Sequence, residues 1–143
     1  MPTPVLVDSN VILDIITEDK RWYAWSSEAL ARFATEHLLA INPIIYAEIS
    51  VGFKRIEELE SILPSGYFSK LDLPWEAAFL AGKCFLKYRQ NKGKRRSPLP
   101  DFYIGAHAAV LKIPLLTRDR GRYETYFPTV KLFSPENLGH RPR

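Results

Sequence analysis

The run Val5-Leu6-Val7-Asp8-Ser9-Asn10 sets three apolar residues, two of them β-branched, against an abrupt polar stop. Such runs form short strands buried on both faces. Ser9 and Asn10 are helix N-cap types, and Val11-Ile12-Leu13 with Ile15-Ile16 provides the apolar side of a following helix. An acidic side chain is therefore expected at the carboxyl end of a buried strand, where the chain turns into a helix. In open α/β sheets ligands bind along that edge. Asp is also a common turn and cap residue, so the pattern gains meaning only if it recurs.

It does recur. Leu38-Leu39-Ala40-Ile41 is a second short apolar run, and Asn42-Pro43 opens a helix with proline in its first turn. Glu48 is the charged residue among Ile44, Ile45, Tyr46, Ala47 and Ile49, about one turn into that helix. Pro100-Asp101 opens another helix, carrying Phe102, Ile104, Gly105, Ala108 and Leu111, and Asp101 in its first turn would meet the helix dipole. Leu115-Leu116-Thr117 is a third strand, and Asp119 in Thr117-Arg118-Asp119-Arg120 repeats the Asp8 arrangement. Val130 to Phe133 forms a last short strand.

Between these runs, helical spacing predicts helices over about 24–36, 55–63 and 75–90. The stripe Trp22, Trp25, Leu30, Phe33 reads as core or subunit interface. The helices at 43–50 and 55–63 are expected to form a hairpin projecting from the sheet, ended by Pro64-Ser65-Gly66. Phe68 and Leu71-Asp72-Leu73 suggest an edge strand. The long helix is expected to bury Ala78, Phe79, Gly82, Phe85 and Leu86. His107 reads as structural or surface, since no cysteine or second histidine lies at ligand spacing. Residues 134–143 read as a loosely held tail. Alternating short apolar strands and helices predict an α/β protein, a three-layer α/β/α fold with a short parallel central sheet. No repeat or composition shift divides it, so residues 1–143 are read as one domain with a core over about 4–133.

Composition limits the function. With 143 residues and 46% hydrophobic content, the chain is long enough to bury a proper core. No run nears the roughly 18 apolar residues of a membrane span, and no secretory signal is expected before the first strand. Cys84 is the only cysteine, which rules out an internal disulfide and cysteine metal cages and suits a reducing cytoplasm. The net charge of +4 mildly favours a polyanionic partner. Seven basic residues and no acidic one lie between Lys83 and Arg96. Lys92, Lys94, Arg95 and Arg96, with Arg118 at a strand end, are the candidate phosphate contacts.

Asp8, Glu48, Asp101 and Asp119 can all reach one edge of such a sheet. Like charges that close need a counter-charge, and a hard divalent cation such as Mg²⁺ or Mn²⁺ takes oxygen ligands. Asp8, Asp101 and Asp119 are the candidate metal ligands, with Glu48 completing the catalytic set. Ser9, Asn10 and Thr117 are short polar neighbours able to hold a metal-bound water or a carboxylate oxygen. With no Cys, His or Lys placed as nucleophile, metal-assisted hydrolysis of a phosphodiester is the expected chemistry.

The motifs Val-Asp-Ser-Asn-Val-Ile-Leu-Asp at 7–14, Tyr-Ala-Glu-Ile at 46–49, Asp-Phe-Tyr-Ile-Gly-Ala-His-Ala at 101–108 and Leu-Leu-Thr-Arg-Asp at 115–119 resemble the PIN domain, and more narrowly VapC-type toxins of toxin–antitoxin pairs. The resemblance implies a Mg²⁺- or Mn²⁺-dependent ribonuclease with Asp8, Glu48, Asp101 and Asp119 on the acidic positions and Ser9 and Thr117 on the hydroxyl positions. It also implies a homodimer, and inhibition by a small VapB-like antitoxin inserted into the acidic groove. Two features depart from the pattern: Pro98 and Pro100 stiffen the approach to Asp101, and Gly105 stands where alanine is more usual. Two other readings compete. A non-catalytic RNA-binding PIN-like module would need the basic surface and no metal. A phosphotransfer receiver is disfavoured because the strand ends lack an Asp-x-Asp pair.

Overall fold

The computed structural model describes residues 3–63, 67–91 and 99–136. The expectations for Pro64-Ser65-Gly66, for Lys92, Lys94, Arg95, Arg96 and Pro98, and for residues 137–143 lie outside them. The described chain runs β1 (Thr3–Val7), α1 (Ser9–Ile16), α2 (Tyr23–Glu36), β2 (His37–Ile41), α3 (Pro43–Ser50), α4 (Ile56–Ile62), β3 (Phe68–Lys70), α5 (Trp75–Gln90), α6 (Leu99–Leu111), β4 (Leu115–Leu116), α7 (Gly121–Tyr126) and β5 (Leu132–Phe133). The strands form one parallel sheet in the order β3-β2-β1-β4-β5, and the fold is a three-layer α/β/α sandwich. No described helix is long and apolar enough to cross a membrane.

A parallel sheet covered on both faces needs strands that are apolar without alternation. Val5, Leu6 and Val7 meet that need, each 0% exposed. β1 is central, pairing Leu6 with Ala40 on one side and with Leu115 on the other. Chain order therefore reverses across β1 and β4, and a crevice opens at their carboxyl ends. The Asp8 N–H donates to Leu116 O and the Thr117 N–H to Phe133 O, so the residues just past β1 and β4 continue the register of the sheet.

Several expectations are corrected. The edge strand is 68–70, and Leu71 to Pro74 carry no regular structure. The last strand is only Leu132–Phe133. Helix α7 was not foreseen: six residues with Glu124 in the first turn offer no helical period to read. Helix α5 has the expected length but turns another face inward. Ala77 and Ala81 are fully buried, while Phe79 is 69% and Leu86 49% exposed. Small side chains let α5 approach α6 closely, and Phe85 and Tyr88 of the same helix meet the Phe102 ring; Trp75 and Phe79 lie on the exposed side. In the aromatic stripe, by contrast, Trp25 and Phe33 are core, each 5% exposed, the first of the two readings given for it. Rather than projecting from the sheet, α3 packs on α1 and α6, and α4 is tied back by Tyr46 Oη donating to Glu60, which also accepts from Lys70 of β3. Ser134 is fully buried and accepts from Arg120 Nη1, so the tail is held at its start.

Candidate active site

Each predicted acid owes its place to a local reason. Asp8 is the N-cap residue of α1, with φ −64° and ψ 147°, yet its side chain makes no capping bond. The capping explanation for this carboxylate therefore fails. Both hydroxyl donors at hand reach the same oxygen instead: Thr117 Oγ1 donates to Asp8 Oδ2 at 2.9 Å and Tyr123 Oη at 2.8 Å. Asp101 sits in the first turn of α6. Asp119 follows β4 on a turn in which its own N–H donates to Thr117 Oγ1 at 3.1 Å. Asp8, Ser9, Asn10, Asp101, Asp119 and Tyr123 line one cavity of about 160 Å³. Glu48 stands at its margin and accepts from Ser9 Oγ at 2.9 Å.

Asn42 and His107 hold the two acid-bearing helices α3 and α6 together. Asn42 caps α3, its Oδ1 accepting from the Ile45 N–H. Its Nδ2 must then donate to His107 Nδ1, 2.9 Å away. This assigns the imidazole proton to Nε2, which is buried and has no partner among the described residues. Burial holds the His107 pKa below its usual range, so the ring is neutral here. His107 is thus structural and fully buried, the first of the two places expected for it.

The electrostatics of the cavity are set by burial. Asp8 is 4% exposed, and its carboxyl is raised from 3.8 to about 6. Burial is the main cause, the charges of Asp101 and Glu48 add to it, and the Tyr123 and Thr117 hydrogen bonds oppose it. Glu48 is raised as well, chiefly by burial and further by Asp101, against the Ser9 hydrogen bond. Burial and the adjoining Asp8 anion push the Tyr123 hydroxyl far up, so it remains a donor. Ion pairs among the described residues join Arg55 to Glu57, Lys70 to Glu60, Arg118 to Asp14 and Arg120 to Glu124; none engages Asp8, Glu48 or Asp119. Arg118, a candidate phosphate contact, directs Nε and Nη2 to Asp14 at 2.8 and 2.9 Å and lies over the Trp22 ring.

Tyr123 was missed by sequence reasoning because α7 was missed, and a tyrosine in Gly-Arg-Tyr-Glu carries no signal of its own. Tyr123→Phe is expected to raise the Asp8 carboxyl further above about 6, since it removes a bond that stabilises the anion. A carboxyl-carbon NMR titration of the metal-free protein reads this directly. An unmoved midpoint would mean that the phenol has no hold on Asp8.

Among the described residues, no three His, Cys, Asp or Glu side chains stand close enough to form a finished ion cage. The donor set nevertheless suits a hard cation: all oxygen, several carboxylates on one small cavity, and a buried anion left electrostatically uncompensated by the ion pairs above. Fold and site together define an α/β protein with an acidic cavity at the switch point of a parallel sheet. The chain belongs to the PIN domain family, whose profile matches residues 5–128. No curated protein matches it. Solved structures similar to it include VapBC2 from Rickettsia felis bound to a promoter DNA fragment (TM-score 0.70, 19% identity, 92% of this chain and 98% of that one). VapBC-1 from nontypeable Haemophilus influenzae is similar too (TM-score 0.70, 17% identity, 92% and 98%). So is FitAcB from Neisseria gonorrhoeae (TM-score 0.63, 21% identity, 94% and 99%). At these identities the likeness establishes the fold.

Proposed function

We propose that this protein is a Mg²⁺- or Mn²⁺-dependent endoribonuclease, the toxin of a VapBC-like toxin–antitoxin module acting in the cytoplasm. The observation that carries the reading is the buried Asp8 carboxylate, sharing one cavity with Asp101 and Asp119 while no described ion pair neutralises it. Asp8, Asp101 and Asp119 would hold the ion, and Glu48, held by Ser9, would orient a water at the margin. A bound divalent cation supplies charge neutralisation and Lewis acidity toward a phosphodiester. Thr117 and Tyr123 orient Asp8 by donating to it, and Asn10 steadies Thr117 through Nδ2 at 3.3 Å. The test is cleavage of RNA by the purified protein with Mn²⁺ and with chelator. Cleavage that survives chelation, or none at any Mn²⁺ concentration alongside persistent RNA binding, would favour the non-catalytic module.

A small VapB-like antitoxin is the proposed inhibitor, inserting into the acidic groove. A homodimer is proposed as the resting form. The outward face of α5 offers it an apolar surface, with Trp75 at 87% and Phe79 at 69% exposure. RNA phosphates are the proposed partners of Lys92, Lys94, Arg95 and Arg96. Changing all four to alanine is expected to weaken binding to every RNA alike and to lower the salt slope by up to about 3, at roughly 0.7 per single-strand phosphate contact. An unchanged slope in a salt titration would remove this segment from the interface.

A further inference from the structure

Asp14 is 2% exposed on α1, a place where a carboxylate is costly unless it is paired and hydrogen-bonded. It is both. Arg118 Nε and Nη2 grip its two oxygens in a fork, and Ser26 Oγ of α2 donates to Oδ2 at 2.7 Å. Asn10, one turn earlier on the same side of α1, takes the Arg118 backbone N–H on its Oδ1 at 3.3 Å. The segment just past β4 is therefore fastened to α1 at side chain and backbone. The residues on either side of Arg118 are Thr117, which holds Asp8, and Asp119, which lines the acidic cavity.

We propose that Asp14 and Arg118 are positioning residues: their bidentate pair latches the Thr117–Asp119 turn to α1 and keeps the Arg118 cation out of the acidic cavity. This rests on the metal-dependent reading above and deepens it. A forked guanidinium–carboxylate contact fixes orientation as well as distance, which a segment outside helix and strand needs if Asp119 is to face Asp8 across a cavity of about 160 Å³. With Asp14 neutralised, Arg118 would be an unmatched cation next in sequence to Asp119. It would then be drawn to the carboxylates that a divalent ion needs.

The decisive variant is Asp14→Leu combined with Arg118→Met, because apolar replacement of a buried pair commonly preserves folding. Two measurements on the folded protein decide the proposal. Amide hydrogen exchange in the metal-free state reads the latch itself, since the Arg118 and Asp119 N–H groups bond to Asn10 and Thr117 side chains. These amides are expected to exchange at least about 10-fold faster while core strand amides stay protected. Calorimetric Mn²⁺ titration is expected to show about 10-fold weaker binding, the scale at which outer-shell partners act. Wild-type protection at 118–119 together with wild-type Mn²⁺ affinity would overturn the proposal. Arg118→Lys keeps the charge and loses the fork, and the same two measurements on it decide the matter if the double variant does not fold. Should the unaltered protein bind no Mn²⁺ and cleave no RNA, the ribonuclease reading fails, and the exchange rates alone decide the latch.

Discussion

Asp8→Asn is expected to abolish RNA cleavage and Mn²⁺ binding and, at the same time, to make the metal-free protein more stable at neutral pH. The two effects share a cause. Asp8 titrates near 6 in the fold against 3.8 ordinarily. The folded state therefore holds a proton that the unfolded chain releases between those values. Stability falls as pH rises through that window. Above it, ionised Asp8 costs up to about 3 kcal/mol. Asparagine removes the charge and keeps an oxygen able to accept from Thr117 and Tyr123. A gain of about 1–3 kcal/mol follows, a rise of several degrees in melting temperature. Added Mn²⁺ should raise the melting point of the unaltered protein and leave that of the variant unmoved. Thermal melts from pH 4 to 8, with and without Mn²⁺, check every part of this. A variant that cleaves RNA at the normal rate would sink the assignment of Asp8.

Gly105→Ala is expected to destabilise the fold by about 2 kcal/mol and to impair the site with it. Alanine is worth about 1 kcal/mol over glycine inside a helix, so the substitution ought to help. However, a Cβ at Gly105 would lie 2.3 and 2.5 Å from two carbons of the Phe127 ring, where contact normally begins near 3.5 Å. Phe127 is 4% exposed and sits against the Phe102 ring, so moving the ring means displacing buried neighbours. Overpacking of this kind costs about 1–3 kcal/mol, and this clash lies at the upper end. The glycine lets the chain just after α7 press onto α6. That contact carries Tyr123 and Asp101 to the same cavity. Phe127→Leu combined with Gly105→Ala should cost less than the sum of the two single changes. Chemical denaturation of the four proteins gives the cycle. A Gly105→Ala protein as stable as the original would refute the argument. The glycine that departs from the alanine expected at this position is thus explained by one ring.

The convergence of Asp8, Asp101 and Asp119 was legible before any coordinates. Buried strands of a parallel sheet all end on one edge, so acids placed just past strands, or in the first turn of a helix, have few places to go. The side-chain hydroxyls were partly legible: Thr117 as a short polar neighbour, Ser9 and Asn10 likewise. The role of Tyr123 was not, because it depends on how a six-residue helix docks. Asp14 was visible only as the last letter of a motif, and Arg118 only as a positive charge open to phosphate. Which of them meets which is set by the rotation of α1 about its axis, and no spacing rule records that.

Sequence alone determined the three-layer parallel fold, the edge that carries the site and the acidic character of that edge, because strand burial and helix starts depend on local pattern. Tertiary structure decided which face of α5 lies inward. Apolar residues surround that helix, and only the close approach of α6 selects Ala77 and Ala81 over Phe79 and Leu86. It also decided that the Asp8 side chain is a desolvated carboxylate and not a capping group, since desolvation and the nearness of other charges arise only when distant segments pack.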